Sequence, residues 1–305
     1  MVIVELNGGL GNQMFQYAAG RSLAAHLGVP LKMDTYTLLD RSNPDKTFVF
    51  RDYDLSIWQL THESFASNQD YYAVVGESRV PLSFWEKIQR KWRKNVLGID
   101  YAARVYNEPH FHFDTTFFDK KAPIYLKGYW QSVKYFAPIV TELRKEFTFK
   151  TNLPTNCLAL AAKIQSTQSI CLNVRRGDFI NNQAASTVLG FAGLDYLYQS
   201  INYIIERVSS PEIFIFSDDL DWCRANIQLP FPMTFVTEEY AGEKYEHKLQ
   251  LMTMCKYFAI PNSTYSWWAA WLATYPEKIV VVPRKWFAKE GMSTDDMHPA
   301  DWVRL

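Results

Sequence analysis

Two arginines, a glycine and an aspartate arrive together at Arg175-Arg176-Gly177-Asp178, directly after the alternating apolar residues Ile170, Leu172 and Val174. Neighbouring guanidiniums repel each other unless an anion lies between them, and the planar fork of Arg can hold two phosphate oxygens at once. A surface turn closed by a local Arg–Asp pair is the plainer reading of these four residues alone. Three more polar clusters follow short apolar runs in the same half: Ser217-Asp218-Asp219, Asn262-Ser263-Thr264 and Arg284-Lys285. Carboxylates such as Asp218 and Asp219 accept from N–H and O–H donors of a base or ribose. Asn-Ser-Thr before a helix can cap it while the first N–H groups of that helix meet an anion. Clusters of this kind at several strand ends point to a ligand that carries phosphate.

The elements that must position them are read from periodicity. Strands are expected over Ile170–Val174, Glu212–Phe216, Thr234–Val236, Tyr257–Ile260 and Lys278–Val282. Helices are expected over Asp195–Val208, Lys244–Lys256 and Ser266–Ala273. Such alternation implies a parallel sheet with right-handed crossovers, whose ligands bind outside the carboxyl ends of the strands. The amino-terminal half opens with a strand at Val2–Leu6 and a glycine-rich turn, Asn7-Gly8-Gly9-Leu10-Gly11-Asn12-Gln13. A small-residue helix from Met14 to Leu27 and a strand at Leu31–Asp34 follow, then Ile124–Trp130 as a strand and Lys134–Phe147 as a helix. Asp34 lies about twenty residues past the glycines, as in a dinucleotide fingerprint, but Met14 occupies the place of the third glycine. What survives is a turn whose N–H groups approach a ligand at the positive end of a helix. Asn7, Gly8, Gly9, Gly11, Asn12 and Gln13 are therefore expected to contribute to ligand binding. Thr148–Thr155, with Pro154, is the expected junction between residues 1–150 and 151–305.

A chain of 305 residues with 48% hydrophobic content is long enough for two domains. Lys plus Arg and Asp plus Glu both total 32, which argues against a general nucleic-acid binder. Cys157, Cys171, Cys223 and Cys255 are widely spaced, with no metal-binding pattern, and read as reduced, buried thiols. The start of the chain lacks a signal-peptide pattern and no window is apolar enough for a membrane span, so a cytoplasmic protein is expected. Ten Trp either pack sugar faces or fill a large core. Ser83–Val96 reads as an amphipathic helix with a basic face, either solvated over a small apolar stripe or in peripheral contact with a partner or with anionic lipid at the inner membrane face.

Several segments together resemble the bacterial α-1,2-fucosyltransferase family (glycosyltransferase family 11). They are Gly8 to Ala18, Lys127-Gly128-Tyr129-Trp130-Gln131-Ser132, Arg175 to Asp178, Phe216 to Asp219, and Asn262 to Trp268, in family order across almost the whole chain. The resemblance implies an α/β fold of GT-B type, with an acceptor-side Rossmann-like domain over residues 1–150 and a donor-binding one over 151–305. It implies GDP-fucose as donor, a galactoside-terminated oligosaccharide or lipid-linked glycan as acceptor, and inversion at the anomeric carbon with neither metal nor cofactor. By the same resemblance Arg175 holds the donor diphosphate and Asp178 orders its loop. Asp218 or Asp219 faces the nucleoside, and Ser263 to Ser266 lie near the phosphates. Ser217, Asn262, Thr264 and Ser266 complete the expected donor-binding set. The family commonly has His two residues before the arginine pair; Asn173 stands there and does not titrate near neutral pH.

The chemistry needs fixed donors for a departing diphosphate and an acceptor for the proton of the incoming hydroxyl. Asp178, beside the arginines, is the first candidate base, with Asp34, His110 and His112 behind it. Two alternatives remain at this point. Asp219-Leu220-Asp221 spells a D-x-D that could hold a divalent cation in a metal-dependent transferase using another GDP-sugar. The other is a non-catalytic protein that binds GDP-sugar or glycan on the same fold.

Overall fold

The computed structural model describes residues 1–43, 49–81, 83–86, 88, 92, 96, 98–177, 192–287 and 294–305. It divides into two compact units, Met1–Glu146 with Asp295–Met297, and Phe147–Thr294 with His298–Leu305. Each is built on a parallel sheet with helices between the strands, which is the α/β class expected.

In the first unit the strands are β1 (Val2–Glu5), β2 (Leu31–Asp34), β3 (Val105–Asn107) and β4 (Ile124–Lys127), in the order β2-β1-β4-β3. The first helix runs from Leu10 to Leu27, starting four residues earlier than expected. Gly9 is its N-cap, and Gly11, Asn12 and Gln13 lie in its first turn instead of in a loop. Small residues let this helix sit close on the sheet: a Cβ on Gly20 would come within 3.0 Å of Val4 and Leu31. Gly28 ends it in the left-handed conformation, at φ 63°. The strand at Ile124 stops at Lys127, because Gly128 follows and Trp130 turns the chain at φ 56°. Two tight turns, Val133–Tyr135 and the Pro138-containing Ala137–Ile139, come first, so the next helix covers only Val140–Glu146. The helix Asn68–Val75 begins at a capping box in which Ser67 and Asp70 satisfy each other's backbone N–H.

The second unit carries β5 (Gln168–Val174), β6 (Pro211–Ser217), β7 (Met233–Phe235), β8 (Tyr257–Ala259), β9 (Val280–Val282) and β10 (Val303–Arg304). Their order is β10-β9-β8-β5-β6-β7, all pairs parallel. Every residue of β6 is buried, as expected for a central strand covered on both faces. A helix not anticipated from the sequence, Thr155–Ser166, follows Pro154 and leads into β5. Trp58, Trp130, Trp267, Trp268 and Trp286 are all fully buried, so much of the tryptophan content is core. All four cysteines are free and buried. Among the described residues no helix is long and apolar enough to cross a membrane.

Candidate functional site

Parallel register brings the polar clusters of the second unit to one edge. Val174, the last residue of β5, is level with Ser217, the last of β6. On the other side of β5, Leu172 is level with Ala259, the last residue of β8, and β9 lies beyond it. Arg175, Asp218, Asn262 and Arg284 therefore emerge from the carboxyl ends of four neighbouring strands. This is the crevice edge where an open α/β sheet binds its ligands.

Arg176 is tied to the loop after β6. The Arg176 backbone N–H donates to Asp218 Oδ1 at 2.9 Å, and its guanidinium meets Asp219 Oδ2 at 2.5 Å. That guanidinium also lies 4.9 Å from the centre of the Trp222 ring. Asp219 in turn accepts the Trp222 N–H at 3.1 Å and so caps the helix Leu220–Asn226. Ser217 Oγ accepts the Asp219 N–H at 2.9 Å. These bonds tie the loop after β5 to the loop after β6. Arg175 is half-buried at the head of the first loop. Asn173 donates to the Phe216 carbonyl at 3.0 Å and serves as a tie between the two strands.

The helix Thr264–Leu272 presents its N-terminus at the same edge. Ser263 is its N-cap residue, but its side chain makes no capping hydrogen bond, in contrast to Asp219. Asn262 is buried and donates to the Trp286 carbonyl at 3.0 Å, and Ser266 donates to the Ser263 carbonyl at 3.1 Å. The helix is anchored from behind: Trp267 and Trp268 are fully buried, and Trp267 Nε1 donates to His298 Nδ1 at 3.2 Å. Burial, with Arg304 nearby, pushes the His298 imidazole down to about 3, so it stays neutral in this role. A rigid helix start with an uncapped Ser263 is chemically suited to an anion.

In the first unit Gly8 adopts φ 76°, and a Cβ there would meet Asn12 Nδ2 at 2.5 Å. A Cβ on Gly9 would meet nothing within 4 Å, so the turn is open on that side. Asn7 is exposed, and Asn12 accepts from Gln131 at 3.0 Å. One expected ligand contact needs correction. Gln13 is fully buried and donates to the Gly8 and Asp52 carbonyls while accepting the Asp54 N–H. It clamps loops together and has no face for a ligand. Gly11 is buried in the first turn of the helix.

The base candidates also separate. Asp34 is buried, gripped by Arg79 through both oxygens, and accepts from Tyr125 Oη at 2.7 Å and from the Tyr36 N–H at 3.1 Å. Burial pushes its carboxyl up, but the bonds from Arg79 and its neighbours outweigh this and hold it below its ordinary value. Arg79 is itself sandwiched by Tyr71 and Tyr36, at 3.5 and 4.4 Å. Asp34 is a structural ion-pair partner and not a base. His110 and His112 stack on each other at 3.4 Å, both exposed. Asp178 lies outside the described residues.

Sequence reasoning missed Glu108. It follows β3, and its two oxygens accept the N–H groups of Tyr129 and Trp130 at 2.7 and 3.0 Å. Burial pushes this carboxyl up to about 7, against the two N–H bonds that favour its anion. The available signal was its place two residues before His110, hidden because β3 has only three residues, none of them buried.

The D-x-D carboxylates are engaged separately. Asp219 is held by Arg176 and Trp222, while the fully exposed Asp221 pairs with Arg224 at 3.1 Å.

The sequence matches the glycosyl transferase family 11 profile over residues 84–305. It is 30% identical over its full length to an Escherichia coli protein named alpha-1,2-colitosyltransferase, covering 99% of that chain. It is 31% identical over 98% of its length to the Escherichia coli O-antigen biosynthesis glycosyltransferase WbnK, again covering 99% of it. Among solved structures, the fucosyltransferase NodZ from Bradyrhizobium aligns with 92% of this chain and 94% of its own, at 14% identity and a TM-score of 0.48.

Proposed function

The chain belongs to glycosyl transferase family 11 and is a glycosyltransferase; from that premise we propose that it transfers L-fucose from GDP-β-L-fucose to the 2-hydroxyl of a terminal galactose, with inversion and without a metal. The observation that carries this reading is the meeting of Arg175, the Ser217-Asp218-Asp219 loop and the Ser263 helix start at neighbouring strand ends. In the proposed step the galactose 2-oxygen bonds to the fucose anomeric carbon from the face opposite the diphosphate. The bond from that carbon to the phosphate oxygen breaks, and GDP leaves with the electron pair. Arg175 and the N-terminal amides of the Thr264–Leu272 helix supply fixed positive charge where the diphosphate gains negative charge. The hydroxyl proton passes to Asp178, which keeps this assignment from its place in sequence beside the arginines; Glu108 is the second candidate.

Arg176, Asp218 and Asp219 have a positioning part in this reading, since their polar groups already bind one another. Metal independence is part of the proposal, and preorganised cations can supply what a bridging ion would. The acceptor is proposed to be a galactoside-terminated oligosaccharide, lipid-linked glycans included. A second donor has a specific observation behind it, because the relative at 30% identity is named for colitosyl transfer. The deciding experiment is a panel of GDP-fucose and the corresponding colitosyl donor against galactosides, with the linkage of each product determined. An α-1,2-fucosyl galactoside is the expected product. Turnover of the colitosyl donor alone would replace the donor and leave the site in place.

A further inference from the structure

Phe84, Trp85, Ile88, Trp92 and Val96 are helical, and their spacing puts them within about 120° of a helix circumference. A stripe of this width normally covers a core. Here it faces outward: Phe84 is 70% exposed, Trp85 75% and Val96 63%. Trp85, Glu86, Ile88 and Trp92 line an open concavity of about 420 Å³. Tyr72 ties the segment to the first unit by donating to the Glu86 carbonyl at 3.2 Å.

The sequence of the same stretch supplies the complement. Between Phe84 and Val96 it contains Lys87, Arg90, Lys91, Arg93 and Lys94 against the single acid Glu86, in a chain whose net charge is zero. Exposed indoles together with a local excess of cations suit one environment well. Indoles rest at the boundary between headgroups and acyl chains, and cations bind the anionic headgroups above it. We propose that the exposed face of Phe84, Trp85, Ile88, Trp92 and Val96 rests in a membrane interface and that the cations in the sequence of this stretch bind anionic lipid. This holds the enzyme at a lipid surface, and it does not depend on which sugar is transferred.

The test uses the full chain and vesicles of phosphatidylcholine, with and without phosphatidylglycerol. Co-sedimentation with the anionic vesicles is expected, falling as salt rises, with quenching of tryptophan fluorescence by brominated acyl chains. Trp85→Ser with Trp92→Ser, and separately Lys91→Glu with Arg93→Glu, should each weaken that binding at least tenfold. Both pairs should leave the melting temperature and the turnover of a soluble galactoside unchanged. The proposal is overturned if the full chain ignores anionic vesicles, or if both double variants bind them as the parent does. It is equally overturned if the stripe proves to be covered by a second copy of the chain, seen as a dimer that Trp85→Ser with Trp92→Ser dissolves.

Discussion

Arg176 meets Asp219 at 2.5 Å, a pair that joins two loops 43 residues apart in the chain. The pair sits beside Trp222 and reuses a carboxylate that already caps a helix. Arg176 is thereby held between the two loops, and the grip on the donor diphosphate is the part proposed for Arg175.

Different outcomes are expected for the two arginines. Arg175→Lys keeps the charge but replaces a planar fork with a mobile point. Loss of one preorganised donor to developing charge costs on the order of 3 kcal/mol, or about a hundredfold in kcat. Arg175→Lys should lower kcat more than it raises the donor KM. Arg176→Lys should lower the melting temperature and raise the donor KM through a loosened loop. Near-normal kcat in Arg175→Lys with a well-folded, inactive Arg176→Lys would reverse the two assignments.

Asp34→Asn tests whether that carboxylate is structural. Arg79 would be left buried between two tyrosine rings without its anion, which typically costs about 3 kcal/mol or more. The folded-state pKa of Asp34 is depressed, so its contribution is present above the unfolded value near 3.8 and is lost as pH falls through the folded one. Chemical denaturation should show the variant much less stable at neutral pH, with the gap closing under acid. A variant as stable as the parent but inactive would return Asp34 to the list of bases.

GDP should bind without added divalent ions, and more weakly as salt rises, because the grip is on phosphate charge. EDTA should leave turnover intact. Calorimetry showing strict magnesium dependence would sink the proposed site, since Asp219 would then have to abandon Arg176 and Trp222 to hold the ion.

Much of the second sheet was legible because parallel central strands, buried on both faces, leave apolar runs such as Ile213 to Phe216. The edge strand Val105–Asn107 was not, being three half-exposed residues. The first helix began before its apolar pattern did, because Gly11 and Asn12 carry no apolar signal and the start is set by tertiary packing. At the site, residue types foretold which strand ends matter. They did not foretell that Arg176 and Asp219 satisfy each other, a relation made only when β5 and β6 pair. Nor could spacing reveal that Gln13 closes a loop onto Asp52 and Asp54.

Glu108 separates a structural carboxyl from a chemical one. Its pKa is raised from 4.5 to about 7 by burial, so between those values the folded chain holds a proton that the unfolded chain has released. The stability this brings is fully present below pH 4.5 and is lost as pH rises through 7. Gln resembles the protonated form, so Glu108→Gln should flatten the stability curve in that window. If Glu108 only holds Tyr129 and Trp130 in place, the variant keeps kcat within about tenfold, whereas general-base loss typically costs a hundredfold or more. Asp178→Asn is the partner experiment: it should keep the fold and lose that larger factor. The measurement is kcat/KM against pH for the parent and both variants. An acid limb near pH 7 that vanishes in Glu108→Gln, while Asp178→Asn turns over normally, would move the proton-accepting role to Glu108. Such a result would place the base on the same unit as the Gly8–Gly9 turn and leave the arginine edge with the diphosphate alone.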